Sequence, residues 1–385
     1  MSRRFTIDGS TELEQHLDCV CKEVRERVCA LVPFKKLEAI FLGGGYGRGE
    51  GGVLRTPAGD RPYNDLEFYI CVTGNPRLNE RSFGEQLHEL GEELSEHAGV
   101  EVEFKITSTA KLRNSAPSMF HYDLAMGHRT LVGSDDTLRA ERFQDSTEIP
   151  LHEATRLLMN RCTGLLLSEE KLLHTPFTAE DADFVERNHA KAQLAFGDVV
   201  LTVLGQYHWS CRERNRRLQK IADESPLADI PVCLEKIFCH HTLAVEFKLH
   251  PRQTNRSVEK LLPLQAEVGD LGRNLWLWLE SRRLNKHFSS VQDYALSSTD
   301  KCPETNPLKN RLINLRHFGL PGFLGRRGGR YPRERLLHAL ALLLWDPAGR
   351  QTISELGKIQ EALNTDSTDF DLLLQAYCNL WKKFN

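Results

Sequence analysis

In "NDLEFYICVT", residues 64 to 73, Asp65 and Glu67 stand two positions apart on a run that alternates polar with apolar side chains. Residues two apart in a strand face the same side, so both carboxylates project together while Leu66, Phe68, Ile70 and Val72 turn the other way. "GVEVEFKIT", residues 99 to 107, repeats the arrangement, with Val100, Val102, Phe104 and Ile106 on one face and Glu101, Glu103 and Lys105 on the other. Neighbouring strands lie about 5 Å apart, so if the two runs pair, three carboxylates come within reach of an ion that makes bonds of about 2.1 Å to oxygen, as Mg²⁺ does. Carboxylates crowded without a cation repel one another and raise each other's pKa. A divalent metal, Mg²⁺ or Mn²⁺, is therefore the partner that Asp65, Glu67 and a third carboxylate imply. Glu101 shares a face with Glu103, and Glu103 is preferred because it lies deeper in the strand.

A metal held by carboxylates attracts substrate phosphates, and a second feature is suited to the same ligand. "FLGGGYGRGEGG", residues 41 to 52, holds seven glycines in twelve positions directly after an apolar run. A glycine turn at the end of a strand can offer backbone N–H groups to phosphate, and Gly44 and Gly45 would then be glycine so that the backbone meets a ligand without a side chain between. Arg48 would neutralise phosphate charge, or sit solvated beside Glu50. Each feature alone is common; their order along the chain joins them into one phosphate-and-metal site.

"GGYGRGE" followed by "NDLEFYI" resembles, in order, the pattern of small members of the DNA polymerase beta-like nucleotidyltransferase superfamily: apolar strand, Gly-Ser, a variable and a small residue, Arg-Gly-Glu, a gap, then acidic-x-acidic on the next strand. The similarity covers roughly residues 35 to 135, and "YDLAMGHRTLVGSDD", 122 to 136, looks like the strand and Gly-Asp segment that closes that domain. The resemblance implies Gly44 and Gly45 at the phosphate turn, Asp65 and Glu67 as the metal-binding pair and Glu103 as the third carboxylate. It also implies a lysine from a helical lobe on the nucleotide phosphates, for which Lys191 in "AKAQLAFGDVVL" is the candidate; the alternative for Lys191 is a plain helix-surface charge on the same face as Asp198. The expected reaction is transfer of an NMP from an NTP to an acceptor hydroxyl with release of pyrophosphate, the acceptor being a small molecule, a protein or RNA. Two departures stand out. Gly45 replaces the usual serine and Glu67 the commoner aspartate, so the alternative expectation is a catalytically inactive nucleotide-binding module whose helical lobe recruits protein or RNA.

The elements that must position these residues follow from periodicity. Thr11 and Glu14 suggest a capping box ahead of Leu13, Leu17, Val20, Val24, Val28 and Leu31, which recur at helical spacing until Pro33. "KLEAIFLGGG" reads as a buried strand entering the glycines, and residues 51 to 64 as a flexible loop. Ser82 and Glu85 suggest the cap of a helix carrying Phe83, Leu87, Leu90 and Leu94. From about residue 150 onward long helical periods replace alternation, and residues 299 to 309 and 318 to 333 read as Pro/Gly-rich loops. The expected fold class is α+β: a small mixed sheet in a nucleotidyltransferase-like domain, 1–147, followed by a mostly α-helical domain, 148–385, with a subdivision near 299–309.

Bulk properties bound the partners. A net charge of −3 argues against a protein that coats nucleic acid by bulk electrostatics, although "GRRGGRYPRER" at 325 to 335 could meet an acidic acceptor such as RNA. "YHWSCRERNRRL", 207 to 218, could stack on a base or pin its helix to the other lobe, and pinning is the reading preferred. Ten cysteines contain no CxxC pair, which suits reduced thiols and a cytoplasmic location, and no stretch approaches the roughly 18 apolar residues of a membrane span. Cys239, His240 and His241 are consecutive, and consecutive helical residues diverge, so they make a poor metal set. His121 and His128 read as structural.

Overall fold

In this computed structural model, residues 4–138, 141–224, 233–346 and 353–385 are described; the basic start, Met1 to Arg3, lies outside them. The chain divides into two compact units. One comprises Met1–Pro150, Leu204–Ile221 and Thr242–Gln253, the other Leu151–Val203, Ala222–His241 and Thr254–Asn385. Two segments of the stretch read as helical thus belong with the sheet.

Mixed α+β structure is what forms. In the first unit the order is α1 (Thr11–Leu31), β1 (Leu37–Leu42), α2 (Gly44–Arg48), β2 (Val53–Thr56), β3 (Gly59–Pro62), β4 (Leu66–Val72), α3 (Pro76–Ala98), β5 (Val102–Thr107), α4 (Thr109–Asn114), α5 (Met119–Met126) and β6 (Arg129–Val132). The main sheet runs β5-β4-β1-β6. β1 is antiparallel to both β4 and β6, and β4 is parallel to β5, with Glu67 in register with Glu103 and Tyr69 with Lys105. A parallel pair needs a crossover, which α3 supplies.

α1 buries Leu13, Leu17, Val20, Val24 and Val28, and α3 buries Phe83, Leu87, Leu90 and Leu94, against the sheet face formed by Ile40, Leu42, Leu66, Phe68, Ile70 and Val72. Both caps differ from expectation. Ser10 caps α1 by accepting from the Leu13 N–H, while Glu14 turns aside to accept from the Phe5 and Thr6 N–H groups. α3 starts six residues earlier than Ser82, at Pro76, capped by Asn75, because proline suits the first helical position; Ser82 returns its hydroxyl to the Leu78 carbonyl.

The opposite face of the sheet is also covered. Ala39, Phe41, Tyr69 and Cys71 pack with Leu112 of α4, Leu124 of α5 and Leu138. At the end of that face bearing the carboxylates, Asp65 is exposed and Glu67 half-buried. Residues 122 to 126, expected in the closing strand, are helical as part of α5, and the strand itself is Arg129–Val132. Residues 51 to 64 are not a loose loop: β2 and β3 pair as an antiparallel hairpin.

The remaining elements are α6 (Leu151–Leu172), α7 (Ala179–Val203), α8 (Cys211–Glu224), α9 (Leu234–Leu249), α10 (Val258–Arg283), α11 (Val291–Leu296), α12 (Pro307–Leu324), α13 (Arg333–Trp345), α14 (Ile353–Leu363) and α15 (Phe370–Phe384). α6, α7 and α10 pack together in the second unit. A Cβ at Gly272 of α10 would stand 3.3 Å from the Phe196 ring and 3.6 Å from Cys162 Sγ, so glycine lets these helices approach. Residues 318 to 324, expected in a loop, belong to α12, which bends at Gly319 where φ is +66°. No helix of the described residues is long and apolar enough to cross a membrane.

Candidate active site

The carboxylate-bearing end of the sheet lies where β1 finishes and β4 and β5 begin. Gly43 N–H donates to the Glu67 carbonyl at 2.9 Å, which ties the glycine segment to the acidic strand. Parallel pairing sets Glu67 beside Glu103, and Asp65 precedes β4 on the same side. Carboxylate oxygens of Asp65, Glu67 and Glu103 all lie within 4.8 Å of one another, the one such group of possible metal ligands among the described residues. Glu101 precedes β5, is exposed, and does not join that group; its backbone carbonyl accepts from the Leu66 N–H at 2.8 Å.

Ligands on opposite sides of a Mg²⁺ ion stand about 4.2 Å apart, so modest rotation of the exposed Asp65 and Glu103 side chains would bring the set to one ion. The residues fit a hard divalent cation: all donors are carboxylate oxygens. Lys105 offsets part of the charge, its Nζ lying 3.0 Å from Glu103 Oε2 and 3.6 Å from Glu67 Oε1. Partial burial alone would lower the Lys105 pKa, but the ion pairs with Glu103 and Glu67 outweigh it and hold the ammonium above its ordinary range. Tyr69 donates its hydroxyl to Glu67 Oε2 at 3.0 Å; burial, and then the Glu67 charge, push its own pKa far up, so it stays a donor.

Lys105 pairs with two of the three carboxylates, so a cation bound there would compete with it. Lys105→Met is expected to tighten Mn²⁺ binding by about tenfold, because two partly exposed ion pairs, worth up to about 1 kcal/mol each, no longer compete. Titration followed by Mn²⁺ electron paramagnetic resonance checks this; unchanged or weaker binding would show that the lysine does not compete.

α2 begins at Gly44, and Gly43 at its N-cap has no side chain to bond the first N–H groups. The glycines also have internal reasons. Gly44 has φ +62°, and a Cβ there would stand 3.8 Å from the Glu67 carboxyl, so conformation rather than crowding favours glycine. A Cβ at Gly45 would stand 3.1 Å from the Glu50 carbonyl oxygen, closer than an ordinary contact.

Arg48 pairs with Asp123. Its guanidinium lies 3.5 Å from Asp123 Oδ2, and the arginine side chain is only 11% exposed. Asp123 also accepts from the Tyr207 hydroxyl, which in turn accepts from Arg214. Glu50 is buried and accepts from the Ser210 hydroxyl and, at 2.9 Å, from the Cys211 N–H at the start of α8. The segment 207 to 218 lies within the first unit and is held there by these bonds, a structural role but not the link to another lobe expected from sequence. Lys248 stands in the same neighbourhood, its pKa pushed down by burial and then by Arg48; sequence reading missed it, because nothing near it in the chain announces a site.

Glu50 links this arrangement to pH. Burial would raise its pKa, but the hydrogen bonds from Ser210 and Cys211 outweigh that and set it below the ordinary glutamate value. A carboxylate whose pKa falls on folding stabilises the fold above its unfolded pKa and loses that contribution as pH drops. Stability measured by urea unfolding is expected to fall between about pH 5 and 3, with a shallower slope in Glu50→Gln. An equal slope in the two proteins would assign the acid sensitivity elsewhere.

Lys191 is exposed on α7 in the second unit, whereas Asp198 is buried and pairs with His241 Nε2 at 3.2 Å. His240 turns instead to Gln193 and Glu267, so the Cys-His-His run does diverge. His121 bonds Ser118 and His128 the Leu124 carbonyl, both structural roles. Much of the arginine-rich run at 325 to 335 is engaged internally: Arg330 with Glu334 and the Thr299 carbonyl, Arg333 with the Phe384 carbonyl, Arg335 with the Glu361 carbonyl. That employment weakens the case for RNA at this run.

The site thus belongs to a class defined by an acidic group on paired strands beside an uncapped glycine segment. No protein-family model, curated protein or solved structure matches the chain.

Proposed function

We propose that this protein is a Mg²⁺- or Mn²⁺-dependent nucleotidyltransferase that moves an NMP from an NTP to an acceptor hydroxyl with release of pyrophosphate. The observation that carries the reading is the convergence of Asp65, Glu67 and Glu103 from adjacent strands at the end of the sheet where Gly43 to Gly45 leave β1. Asp65, Glu67 and Glu103 would hold the divalent ions, which when bound neutralise the triphosphate and favour an ionised acceptor oxygen. The uncapped start of α2 at Gly44 and Gly45 receives the phosphates, and Arg48 adds positive charge at the end of that helix. Tyr69 orients Glu67 through its hydroxyl bond. Lys191, from the mostly helical region after residue 147, is the proposed contact to the nucleotide phosphates. The acceptor is a small molecule, a protein or RNA.

Pyrophosphate release in the presence of Mg²⁺ and each of ATP, GTP, CTP and UTP tests the reading, with α-phosphate label followed into lysate components to find the acceptor. Absence of binding heat with all four nucleotides would overturn it. A second reading, a nucleotide-binding module without turnover, is favoured by the seating of Lys105 on two of the three carboxylates. Nucleotide binding without pyrophosphate release would select it.

A further inference from the structure

α12 is amphipathic in reverse. Asn310 and Asn314 face inward, 2% and 3% exposed, while Leu308, Leu312 and Leu324 are 75%, 63% and 71% exposed. The inward asparagines are fully employed: Asn310 donates to the Gly329 carbonyl at 3.0 Å, and Asn314 to the Gly328 and Arg330 carbonyls at 2.8 Å each. These bonds fasten the polar side of α12 to the segment that follows it and hold the leucines out to solvent. Scattered exposed leucines are ordinary, but several in register on one helix are not.

Their spacing says what would cover them. Leu308, Leu312 and Leu315 are separated by four and then three residues, the interval of a seam that receives another helix. Assigned as d, a and d of a heptad, they place Lys309 and Arg316 at e and Arg311 at g, the positions that choose a partner by charge. Arg311 is tied to the Phe323 carbonyl at 2.7 Å, and Lys309 and Arg316 are exposed beside the seam. Beyond the bend at Gly319, Leu320 and Leu324 are exposed as well. From Thr305 to Arg333 the chain has seven lysines and arginines and no carboxylate, in a protein of net charge −3.

We propose that α12 is a docking helix for an acidic amphipathic helix of another protein, one with apolar residues at four-three spacing flanked by glutamate or aspartate. A second copy of this chain is disfavoured, since either orientation of two α12 helices sets cations against cations. A lipid surface is disfavoured because the three seam leucines fall within an arc of about 60°, a single file, whereas interfacial helices present a broad apolar face.

The test uses the full chain and two fluorescent three-heptad peptides with leucine at a and d, one with glutamate and one with lysine at e and g, followed by anisotropy. The acidic peptide is expected to bind and the basic one not. Leu312→Asp, at a solvent-facing position that leaves the fold intact, is expected to weaken binding roughly tenfold or more, and Lys309→Glu with Arg316→Glu to reverse the preference. Failure of the acidic peptide to bind, equal binding of both peptides, or indifference to Leu312→Asp would overturn the proposal. So would flotation on phosphatidylserine-containing vesicles that Leu312→Asp abolishes, which would assign the ridge to lipid. Concentration-dependent dimerisation abolished by the same variant would overturn it too, assigning the ridge to self-association.

Discussion

Asp65→Asn is expected to lower nucleotidyl transfer by about three orders of magnitude while leaving thermal stability within roughly 0.5 kcal/mol of the parent protein. The two halves of this expectation rest on different facts. Asp65 is exposed and contributes to no apolar cluster, so its replacement by an isosteric amide removes a charge without opening a cavity. As one of three carboxylates converging on a single point, it carries a charge that neither Glu67 nor Glu103 can supply from its own strand position. Pyrophosphate release under single-turnover conditions measures the first half and thermal unfolding the second. Retained activity would remove Asp65 from the mechanism; a large loss of stability would show that its role is structural. Mn²⁺ titration of the same variant adds an independent readout, since a lost ligand weakens the ion whether or not turnover is observed.

Glu280→Ala is expected to destabilise the second unit by about 3 to 5 kcal/mol. Glu280 is fully buried on α10 and accepts from the Thr155 hydroxyl at 2.6 Å, the Tyr294 hydroxyl at 2.8 Å and two nitrogens of Arg283 at 2.8 and 2.7 Å. Arg283, whose side chain is 6% exposed, would lose its nearest counter-charge and be left with the Lys301 carbonyl and a more distant Glu304. That residual charge, rather than the lost bonds themselves, sets the magnitude. For a unit of this size the change corresponds to a fall in melting temperature of roughly 10 °C or more, readable by calorimetry. Glu280→Gln keeps the shape but removes the charge and sets an amide NH2 against donors that now bond a carboxylate oxygen, so it is expected to lose a comparable amount. A much smaller loss in Glu280→Gln than in Glu280→Ala would show that shape, not charge, is what Glu280 contributes.

The docking ridge on α12 and the acidic site on the sheet make separate demands on function. Under the proposals above one would supply chemistry and the other a place for a macromolecule to be held, and the module without turnover would need only a nucleotide and that ridge. The peptide experiment is independent of nucleotide, and the pyrophosphate assay is independent of α12, so each succeeds or fails alone.

Strand alternation determined from sequence that Asp65 and Glu67 share a face, and that Glu103 lies on the polar side of a second strand, because a period of two leaves no other arrangement. Helical spacing likewise determined which residues of α1 and α3 are buried. Sequence did not determine that β4 lies parallel to β5, which puts Glu67 level with Glu103 and excludes Glu101, since register is chosen by how α3 packs on the sheet. It did not determine that Tyr69 and Cys71, on the carboxylate face, would be buried under α4 and α5. Nor could it show that Lys105 would pair with two carboxylates, that Glu50 would cap a helix more than 150 residues away, or that α12 would turn its leucines outward. Those outcomes depend on contacts between distant segments, and local periodicity reports which side chains share a face without reporting what that face will meet.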